Sequence, residues 1–354
     1  MGVTLEQLGG WPYILGRLSQ GGHLTEAEAA AAMADVFEGN ATPSQLGAFI
    51  FGLRCKGETV EEMTGFVDAM VSAAELVPLP AEVAARVVDT CGTGGDRSGT
   101  INVSTITAFV VAGAGVPVCK HGNRAASSKA GSADLLEALG VAISLGPAQV
   151  ATCIEEAGIG FCFAPRFHPS MRHAGPTRKE LGVPTVFNFL GPLANPARTR
   201  RQVVGVSDPG MADKMLGVLV ANGATHTMVV YGHDGLDELT TTDCSTVTAS
   251  WLDEAGERHQ QRFQVDPKEY GLARVDKASL LGGDAVTNAD LARRVLGGEK
   301  GARRDIVLLN AAAALVVAGE AADLGAGVVM AASVIDSGSA AERLDRLVAV
   351  SQRV

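Results

Sequence analysis

The chain has 354 residues, of which 47% are hydrophobic and 19% charged, and its formal net charge is −10 at pH 7. This composition argues against intrinsic disorder and predicts a sizeable core, in one large domain or two smaller ones. The negative charge argues against non-specific nucleic-acid binding, which needs a basic surface, so an anionic ligand would require a local basic pocket.

The first 75 residues carry three helix-start signals of one type. The stretches TEAE (25–28), TPSQ (42–45) and TVEE (59–62) each place Thr at an N-cap and Glu or Gln three positions later, which is the capping-box pattern. No strand pattern interrupts them. We therefore predict a helical domain over residues 1–83, ended by a linker that contains two prolines.

After residue 84 the pattern alternates between apolar strands and helices. The predicted strands are RVVDT (86–90), VPVCK (116–120), VAISL (141–145), IGFCFA (159–164), RQVVGVS (201–207) and ATHTMVVYG (224–232). The helices after the first two of these strands are expected to be capped by Ser104 and Ser132. Strand–helix alternation predicts an α/β domain over residues 84–354, with a largely parallel sheet flanked by helices. The segment near 168–198 interrupts the alternation with helix and loop, and we expect it to rejoin the helical domain.

A glycine-rich stretch, VVDTCGTGGDRSGTINVST (87–105), lies between a predicted strand and a predicted helix. Glycines let the backbone approach an anion, and a helix N-terminus offers unpaired N–H groups. The spacing matches neither the dinucleotide fingerprint nor the P-loop. Two interpretations stay open here: a phosphate cradle, or a tight turn that needs positive φ.

The next strand–helix loop, KHGNRAASSKAGSAD (120–134), is basic and rich in small donors. Two consecutive loops of this kind favour a ligand with several phosphates, although a solvated basic loop is the alternative. Further along, GLDELTT (235–241) contains the adjacent acids Asp237 and Glu238. Mg²⁺ typically takes one or two carboxylates together with substrate phosphates, whereas two exposed surface acids are the ordinary alternative.

Six cysteines are scattered without a C-x-x-C pair, which is typical of reduced thiols rather than of disulfides or a zinc site. The opening residues MGVTLEQLGG show no secretory signal, and the apolar run 306–319 is shorter than the roughly 20 residues that span a bilayer. We therefore expect a cytoplasmic protein that has neither a membrane nor a nucleic acid as a partner.

The motifs taken together resemble those of the anthranilate phosphoribosyltransferases. The matching stretches are DTCGTGGD, NVST, KHGNRAASSKAGSADLLEALG, FAPRFHPSM, RKELGVPTVFNFLGPLANPA and GLDELTT, in the family order across about residues 60–250. The chain departs from the usual pattern at Arg172, where Lys is commoner, and at Ala194, where Thr is commoner, and Cys91 lies where the family varies. The resemblance implies a nucleoside phosphorylase/phosphoribosyltransferase-like architecture and a homodimer formed through the helical domain.

The resemblance also implies a reaction: transfer of the phosphoribosyl group of 5-phosphoribosyl 1-diphosphate (PRPP) to anthranilate, with Mg²⁺. It assigns PRPP contacts to Gly92, Gly95, Asp96, Thr100, Asn102, Val103, Ser104, Thr105, Lys120, His121, Gly122, Asn123, Arg124, Ala125, Ala126, Ser127, Ser128 and Ser132. It assigns anthranilate contacts to Gly92, Asn123, His168 and Arg178, and metal ligation to Ser104, Asp237 and Glu238. An arylamine is neutral at pH 7, so no strong base is expected, and Lys120 and His121 would give electrostatic support.

Ordinary structural roles compete with some of these assignments. His121 and His168 could be hydrogen-bonding core residues, Arg178 a surface helix residue, and His173 a surface or interface residue, while Asn310 is expected to bridge elements inside the fold. A pyrimidine nucleoside phosphorylase is the nearest alternative enzyme. A nucleic-acid-binding protein on the same scaffold is the alternative from another class.

Overall fold

The structure is a computed structural model that describes residues 3–125 and 129–354. Three residues expected to contact PRPP, Ala126, Ser127 and Ser128, lie outside the described residues. Across the described ranges no single helix is both long and apolar enough to cross a membrane; one bent helix pair, 324–336 with 339–353, passes by length and composition alone.

The chain begins with a helical bundle: α1 (Gly10–Ser19), α2 (Glu26–Glu38), α3 (Pro43–Lys56) and α4 (Val60–Ser72). The side chains of Thr25, Thr42 and Thr59 each accept a hydrogen bond from the backbone N–H of the third helical residue, whose side chain in turn accepts one from the N-cap. The three predicted capping boxes are therefore confirmed. They satisfy N–H groups that would otherwise lack partners at the helix starts.

The rest of the described chain forms a seven-stranded sheet with helices packed against it. Its strands are β1 (Val88–Gly92), β2 (Val118–Gly122), β3 (Ile159–Phe163), β4 (Arg201–Gly205), β5 (His226–Gly232), β6 (Ser245–Leu252) and β7 (Arg258–Val265). The helices are α5 (Ala81–Ala84), α6 (Val103–Gly113), α7 (Ser132–Ala138), α8 (Pro147–Ala157), α9 (Ala164–Phe167), α10 (Gly175–Leu181), α11 (Phe187–Leu193), α12 (Ala212–Ala221), α13 (Ala285–Leu296), α14 (Ala302–Ala318), α15 (Leu324–Asp336) and α16 (Ser339–Arg353).

The strand order is β3-β2-β1-β4-β5-β6-β7, in which β1 to β5 pair in parallel and β6 and β7 are antiparallel additions. The largely parallel α/β sheet is confirmed. From β1 the chain builds outward to β3 on one side, then returns to build outward from β4 on the other. Loops after β1 and β4 therefore diverge at a switch point, which is where open α/β sheets bind ligands.

Two details of the sequence prediction are wrong. Residues 141–145 form no strand in the described chain, although Val141, Ile143 and Leu145 are buried in alternation, because the segment packs on the core without joining the sheet. The caps of α6 and α7 are also different: the N-cap residues are Asn102 and Gly131, each one or two positions earlier than predicted.

The hydrophobic core falls into two clusters. One surrounds the sheet with α6, α8 and α14. The other joins the helical bundle to the segment after β3, because Ala174, Val186, Phe187 and Leu190 are buried among the bundle helices. His173 also packs on Gly39 at the end of α2. The domain boundaries near 83 and 84 stay a prediction.

Candidate active site

The glycine-rich loop after β1 (the first loop, residues 93–102) contains glycines for two different reasons. Gly94, Gly95 and Gly99 have φ of 65°, 83° and 67°, so the backbone turns through a region that side chains disfavour. Gly92 does not share this conformation, but a Cβ there would lie 2.4 Å from Oδ2 of Asp237. The tight-turn interpretation therefore holds at three positions, while Gly92 makes room for a carboxylate.

The first loop is fastened to the loops that follow β4 and β5. The N–H of Gly94 donates to Oδ2 of Asp237 at 2.7 Å, and the N–H of Thr93 donates to the carbonyl of Gly205 at 2.9 Å. The hydroxyl of Ser207 donates to the carbonyl of Gly94 at 2.8 Å. Ser207 was not predicted from the sequence, because a lone serine after a strand carries no distinctive signal.

Three carboxylates lie close together where the first loop meets the loop after β5: Asp96, Asp237 and Glu238. Burial, followed by the charge of Asp96, raises the pKa of Asp237 to about 6. Burial, followed by the charge of Asp237, raises the pKa of Glu238 well above its ordinary value. Asp237 and Glu238, which lie in the third loop (residues 233–244), are both half-buried, and this excludes their interpretation as exposed surface acids. Acids that raise one another's pKa suit a divalent cation, and Mg²⁺ needs only one or two of them beside phosphates.

Lys120 lies beneath these acids and is only 2% exposed. Its Nζ donates to the carbonyl of Thr90 at 2.6 Å and to the Oγ of Ser104 at 3.3 Å. Its positive charge lowers the pKa of both Asp237 and Glu238, although burial outweighs that effect. A buried ammonium beside a carboxylate cluster can stabilise a polyanion that the carboxylates alone would repel.

A second buried acid, Asp89, supports the strand from which Lys120 projects. Asp89 is fully buried, and its Oδ1 accepts the backbone N–H of His121 at 3.2 Å. Its Oδ2 accepts Nδ2 of Asn195 at 2.8 Å. Burial raises the pKa of Asp89, and the charge of Lys120 opposes that rise. Sequence reasoning missed this residue because an acid inside an apolar strand looks like the end of that strand.

His121 and His168 face each other with ring centroids 5.0 Å apart. Burial is the main cause that lowers their pKa values, to about 3 for His121 and about 4 for His168, so both rings are neutral at pH 7. Nδ1 of His121 lies 3.0 Å from the carbonyl of Gly191, which can only accept, so that nitrogen carries the proton. Nε2 of His121 is buried with no hydrogen-bond partner in the described residues. The ring of His168 lies beside backbone groups of Met70 and Ala194, whose hydrogen bonds raise its pKa against the larger effect of burial.

Arg178 lies on α10, which packs against α3 of the helical bundle. It is half-buried, and its guanidinium lies 5.0 Å from the centroid of the Phe187 ring. Burial lowers its pKa, and within residues 3–125 and 129–354 it pairs with no acid. Arg178 thus lies on a helix, as the surface-helix alternative expects, but it is partly withdrawn from water. A partly desolvated guanidinium that lacks a counter-charge suits a carboxylate ligand.

The second loop (residues 123–131) is only partly available to a ligand. Arg124 is tied to Asp134 at 2.7 Å and to Glu137 at 2.9 Å, and its guanidinium lies 5.7 Å from the Phe163 ring centroid. Asp134 also accepts the backbone N–H groups of Ala125 and Gly131, so it closes both ends of this loop. Since the charge of Arg124 is already paired with these two acids, the alternative of a solvated basic loop without a ligand applies in part to this residue.

The other predicted contacts lie around the same loops. Oδ1 of Asn123 accepts the N–H of Arg124 at 2.7 Å, and the hydroxyl of Thr100 bonds that of Ser98 at 3.1 Å. Val103 and Thr105 are buried at the start of α6, and the Thr105 hydroxyl has no partner among the described residues. A Cβ on Gly122 would lie 3.1 Å from the Cβ of Ser132, which brings the end of β2 against the start of α7.

The α/β sheet with these loops at its switch point lies beside a helical bundle, and α10, which carries Arg178, packs against that bundle. This is the two-domain architecture of a class of glycosyl transferases. The glycosyl transferase family a/b domain matches residues 84–341, and the glycosyl transferase family helical bundle domain matches residues 12–74. The described fold and the family description therefore agree.

Among curated relatives, the anthranilate phosphoribosyltransferase of Xanthobacter autotrophicus is 52% identical over 96% of each chain. That of Afipia carboxidovorans is 51% identical over 96% of this chain and 98% of its own. Among solved structures, the enzyme of Thermus thermophilus gives a TM-score of 0.89 at 41% identity, with 96% of this chain and 99% of the other covered. The Saccharomyces cerevisiae enzyme, solved in complex with PRPP and Mg, gives 0.87 at 26% identity, with 97% and 98% covered. The chain belongs to the anthranilate phosphoribosyltransferase family.

Proposed function

We propose that the protein transfers the phosphoribosyl group of PRPP to the amine of anthranilate, with release of pyrophosphate. The product is N-(5-phosphoribosyl)anthranilate, and the reaction is the second step from chorismate in tryptophan biosynthesis. Membership of the family supports the reaction. Two structural observations carry it: a carboxylate-and-lysine cluster at the switch point, and a guanidinium on the helical side that has no acid partner among the described residues. The substrates would meet in a cleft between them.

The donor would lie over the first and second loops. The N-terminus of α6, together with those N–H groups of the first loop that are not already paired within the fold, would face a phosphate after β1. Asp237 and Glu238 would hold Mg²⁺, and Ser104, whose backbone N–H lowers the pKa of Glu238, lies beside them. When bound, Mg²⁺ would neutralise the charge that develops on the departing pyrophosphate. A relative of known structure binds PRPP with Mg, which supports this proposal.

The protein's own part in the reaction is mostly electrostatic. Departure of pyrophosphate leaves an oxocarbenium-like ribosyl carbon, and the leaving group gains negative charge. Lys120 is held in place by the Thr90 carbonyl and supplies a fixed positive charge under that group. His121 is neutral, so it can orient a ligand or accept a proton at Nε2, but it adds no positive charge. Positioning of the two substrates supplies the rest.

The acceptor would lie on the helical side of the cleft. Arg178 would hold the anthranilate carboxylate through its planar fork, with Phe187 fixing the guanidinium plane. Nε2 of His121, which has no partner among the described residues, would be free to bond the acceptor, and the His168 ring lies 5.0 Å from the His121 ring. Asn123 and Gly92 border that space from the donor loops. The Saccharomyces cerevisiae enzyme has been solved with 4-fluoroanthranilate, which supports an aromatic acid as the ligand.

The test is a fluorescence assay on the purified protein. Anthranilate fluorescence is expected to fall only when PRPP and Mg²⁺ are both present, with one pyrophosphate released per anthranilate consumed. Phosphorolysis of a pyrimidine nucleoside without PRPP would instead identify the alternative enzyme. A salt-dependent shift on DNA, with no transfer activity, would favour the nucleic-acid-binding alternative.

We also propose that the protein is a cytoplasmic homodimer that associates through the helical bundle. All six cysteines are free in the described structure, in keeping with reduced thiols. On the bundle, the aromatic side chains of Tyr13 on α1 and Phe51 on α3 are exposed. Two exposed aromatic residues on neighbouring helices support an interface on that face.

A further inference from the structure

A segment between β7 and α13, which the sequence analysis did not single out, holds the first loop from outside. We call residues 277–284 the strap. The N–H of Ile101 donates to the carbonyl of Leu280 at 3.0 Å, and the N–H of Gly282 donates to the carbonyl of Gly99 at 2.9 Å. These two bonds form a short antiparallel bridge, so the far side of the first loop is paired like a strand.

The strap also reaches the loop that contains the acids and the start of α14. Nζ of Lys277 donates to the carbonyl of Asp234 in the third loop. Arg303 on α14 donates to the carbonyl of Leu281 at 2.9 Å. The first loop follows β1 and the third loop follows β5, and both are hydrogen-bonded to the strap.

Asn288 on α13 connects the strap to the second loop as well. It is only 3% exposed, and its Oδ1 accepts the N–H of Gly283 at 2.7 Å. Its Nδ2 donates to Oδ1 of Asn102 at 3.0 Å, and Nδ2 of Asn102 donates to the carbonyl of Ala130 at 3.0 Å. A chain of three hydrogen bonds therefore runs from the strap, through the start of α6, to the end of the second loop.

The direction of this chain is fixed at both ends by the backbone. An N–H at Gly283 can only donate, so Asn288 must present its oxygen there and its amide nitrogen to Asn102. The carbonyl of Ala130 can only accept, so Asn102 must present its nitrogen there and its oxygen to Asn288. Neither amide can be reversed without placing two like groups together, which makes the chain a single specific arrangement.

We propose that Asn288 is a positioning residue for the donor substrate: it fixes the distance between the first and second loops without contacting PRPP. The proposal rests on the donor site proposed above. Both loops must contact one diphosphate, and the first loop contains glycines that leave its backbone free to move. An error of about 1 Å between them would weaken contacts that depend on both.

The test compares two variants that disturb Asn288 in different ways. Asn288→Asp keeps the acceptor for Gly283 and almost the same shape, but it places a second oxygen against Asn102. Gly282→Ala keeps the Asn288 residue but displaces its side chain, because a Cβ there would lie 2.4 Å from its Oδ1 and 3.1 Å from the Thr100 carbonyl oxygen, at a position without positive φ. Both are expected to raise the KM for PRPP about tenfold, which corresponds to one hydrogen bond, while the KM for anthranilate changes less than about twofold.

Leu347→Ala on α16 is the control, because it removes a buried side chain from the sheet-side core and loses stability without touching the loops. Calorimetric titration with PRPP and Mg²⁺ supplies a binding readout besides turnover. A melting temperature lowered as in the control, with unchanged PRPP affinity in both variants, would show a purely structural role and overturn the proposal. A wild-type protein without transferase activity would instead overturn the proposed function, since that result does not depend on Asn288.

Discussion

At the scale of single residues, the carboxyl groups of Asp237 and Glu238 are held in an environment that disfavours their charge. Each is withdrawn from water beside another acid, and their pKa values rise as a result. Residues arranged in this way reduce stability in the free protein, and they are kept where a ligand offsets that cost. His121, His168 and Arg178 share the pattern, since burial shifts each toward its neutral form.

The double variant Asp237→Asn, Glu238→Gln tests the metal assignment. We expect kcat/KM to fall about a hundredfold or more, because two ligands of the cation are lost. The amide introduced at position 237 can still accept the Gly94 N–H, and the repulsion between acids disappears, so the melting temperature should stay the same or rise. Calorimetry and initial rates over a range of Mg²⁺ concentrations measure both effects. Turnover near the wild-type level would refute the assignment.

The histidine pair predicts a specific loss of stability in acid. Both pKa values lie below 6.5 in the folded chain, at about 3 and about 4, so the unfolded chain binds protons first as pH falls. The contribution of the two histidines to the free energy of unfolding is complete above pH 6.5. It declines below that pH, by roughly 1.5 kcal/mol per histidine between pH 6.5 and pH 5. Urea unfolding at both pH values should show a smaller decline in His168→Asn than in the wild type. Equal declines would mean that His168 is protonated in the fold.

Arg178→Ala separates the two substrates. A charged hydrogen-bonded pair contributes roughly 1.5–3 kcal/mol, so the KM for anthranilate should rise about 10- to 150-fold. The KM for PRPP should stay nearly constant, because the donor loops belong to the other side of the cleft. Arg178→Lys is the matched control, because it keeps the charge but loses the planar fork. Its KM for anthranilate should lie between those of the wild type and Arg178→Ala. Equal weakening of both substrates would make Arg178 a structural residue.

At the scale of elements, local signals were predicted well and non-local ones were not. The capping boxes at Thr25, Thr42 and Thr59 depend on residues three positions apart, and all three are present. Strands β6 and β7 were not predicted: β7 is a sheet edge whose side chains are mostly polar and exposed, so it lacks an apolar pattern. Residues 141–145 have that pattern and form no strand, because burial in alternation does not require a pairing partner.

The same distinction between local and non-local signals applies to the residues of the candidate active site. The loops were visible because glycine and charge are concentrated in them. Asp89, Ser207 and Asn288 were not, because each acts across more than one element and looks ordinary among its neighbours in sequence. Asn310 is the exception: its expected bridging role is confirmed by hydrogen bonds to the N–H and carbonyl of Leu239, next to Glu238.

Two alanine substitutions in the β1–α6 connection should separate the two reasons for its glycines. Gly95→Ala forces a side chain into positive φ and should cost about 1 kcal/mol of stability. Gly92→Ala has no such strain but pushes directly on the Asp237 carboxylate, so its main effect should be on activity. Urea unfolding and Mg²⁺-dependent rates on both variants provide the comparison. Reversed outcomes would show that Gly95 alone borders the ligand.

At the scale of the whole molecule, the proposed cleft would divide the work: the sheet side would supply the donor loops and the helical side would supply Arg178. Asp89 and Asn195 join the two through one buried hydrogen bond, close to the switch point. Such a cleft requires the sheet and the helical bundle to keep a fixed position relative to each other. Cys91, Val204 and Val206 of the sheet belong to the same buried cluster as the bundle helices, and this cluster packs the sheet against the bundle. The proposed dimer would extend the helical side.

Phe51→Glu tests that dimer. The side chain is half exposed on α3, and a charge there should separate the subunits, which light scattering would record as a halved mass. Val329→Glu on α15 adds the same charge to an even more exposed apolar position away from the bundle, and it should leave the mass unchanged. A dimer that survives Phe51→Glu would place the interface elsewhere.

The second core cluster sets an order of events during synthesis. Helices α1 to α4 leave the ribosome before the sheet, but Val186, Phe187 and Leu190, which complete their core, follow only after three strands of the sheet have been made. Until then the helices expose apolar surface that a nascent chain must shield, and residues 1–83 expressed alone should remain poorly folded. The helical bundle therefore becomes native only after the chain has passed Leu190, and the side of the proposed cleft that carries Arg178 forms only when the chain returns to it.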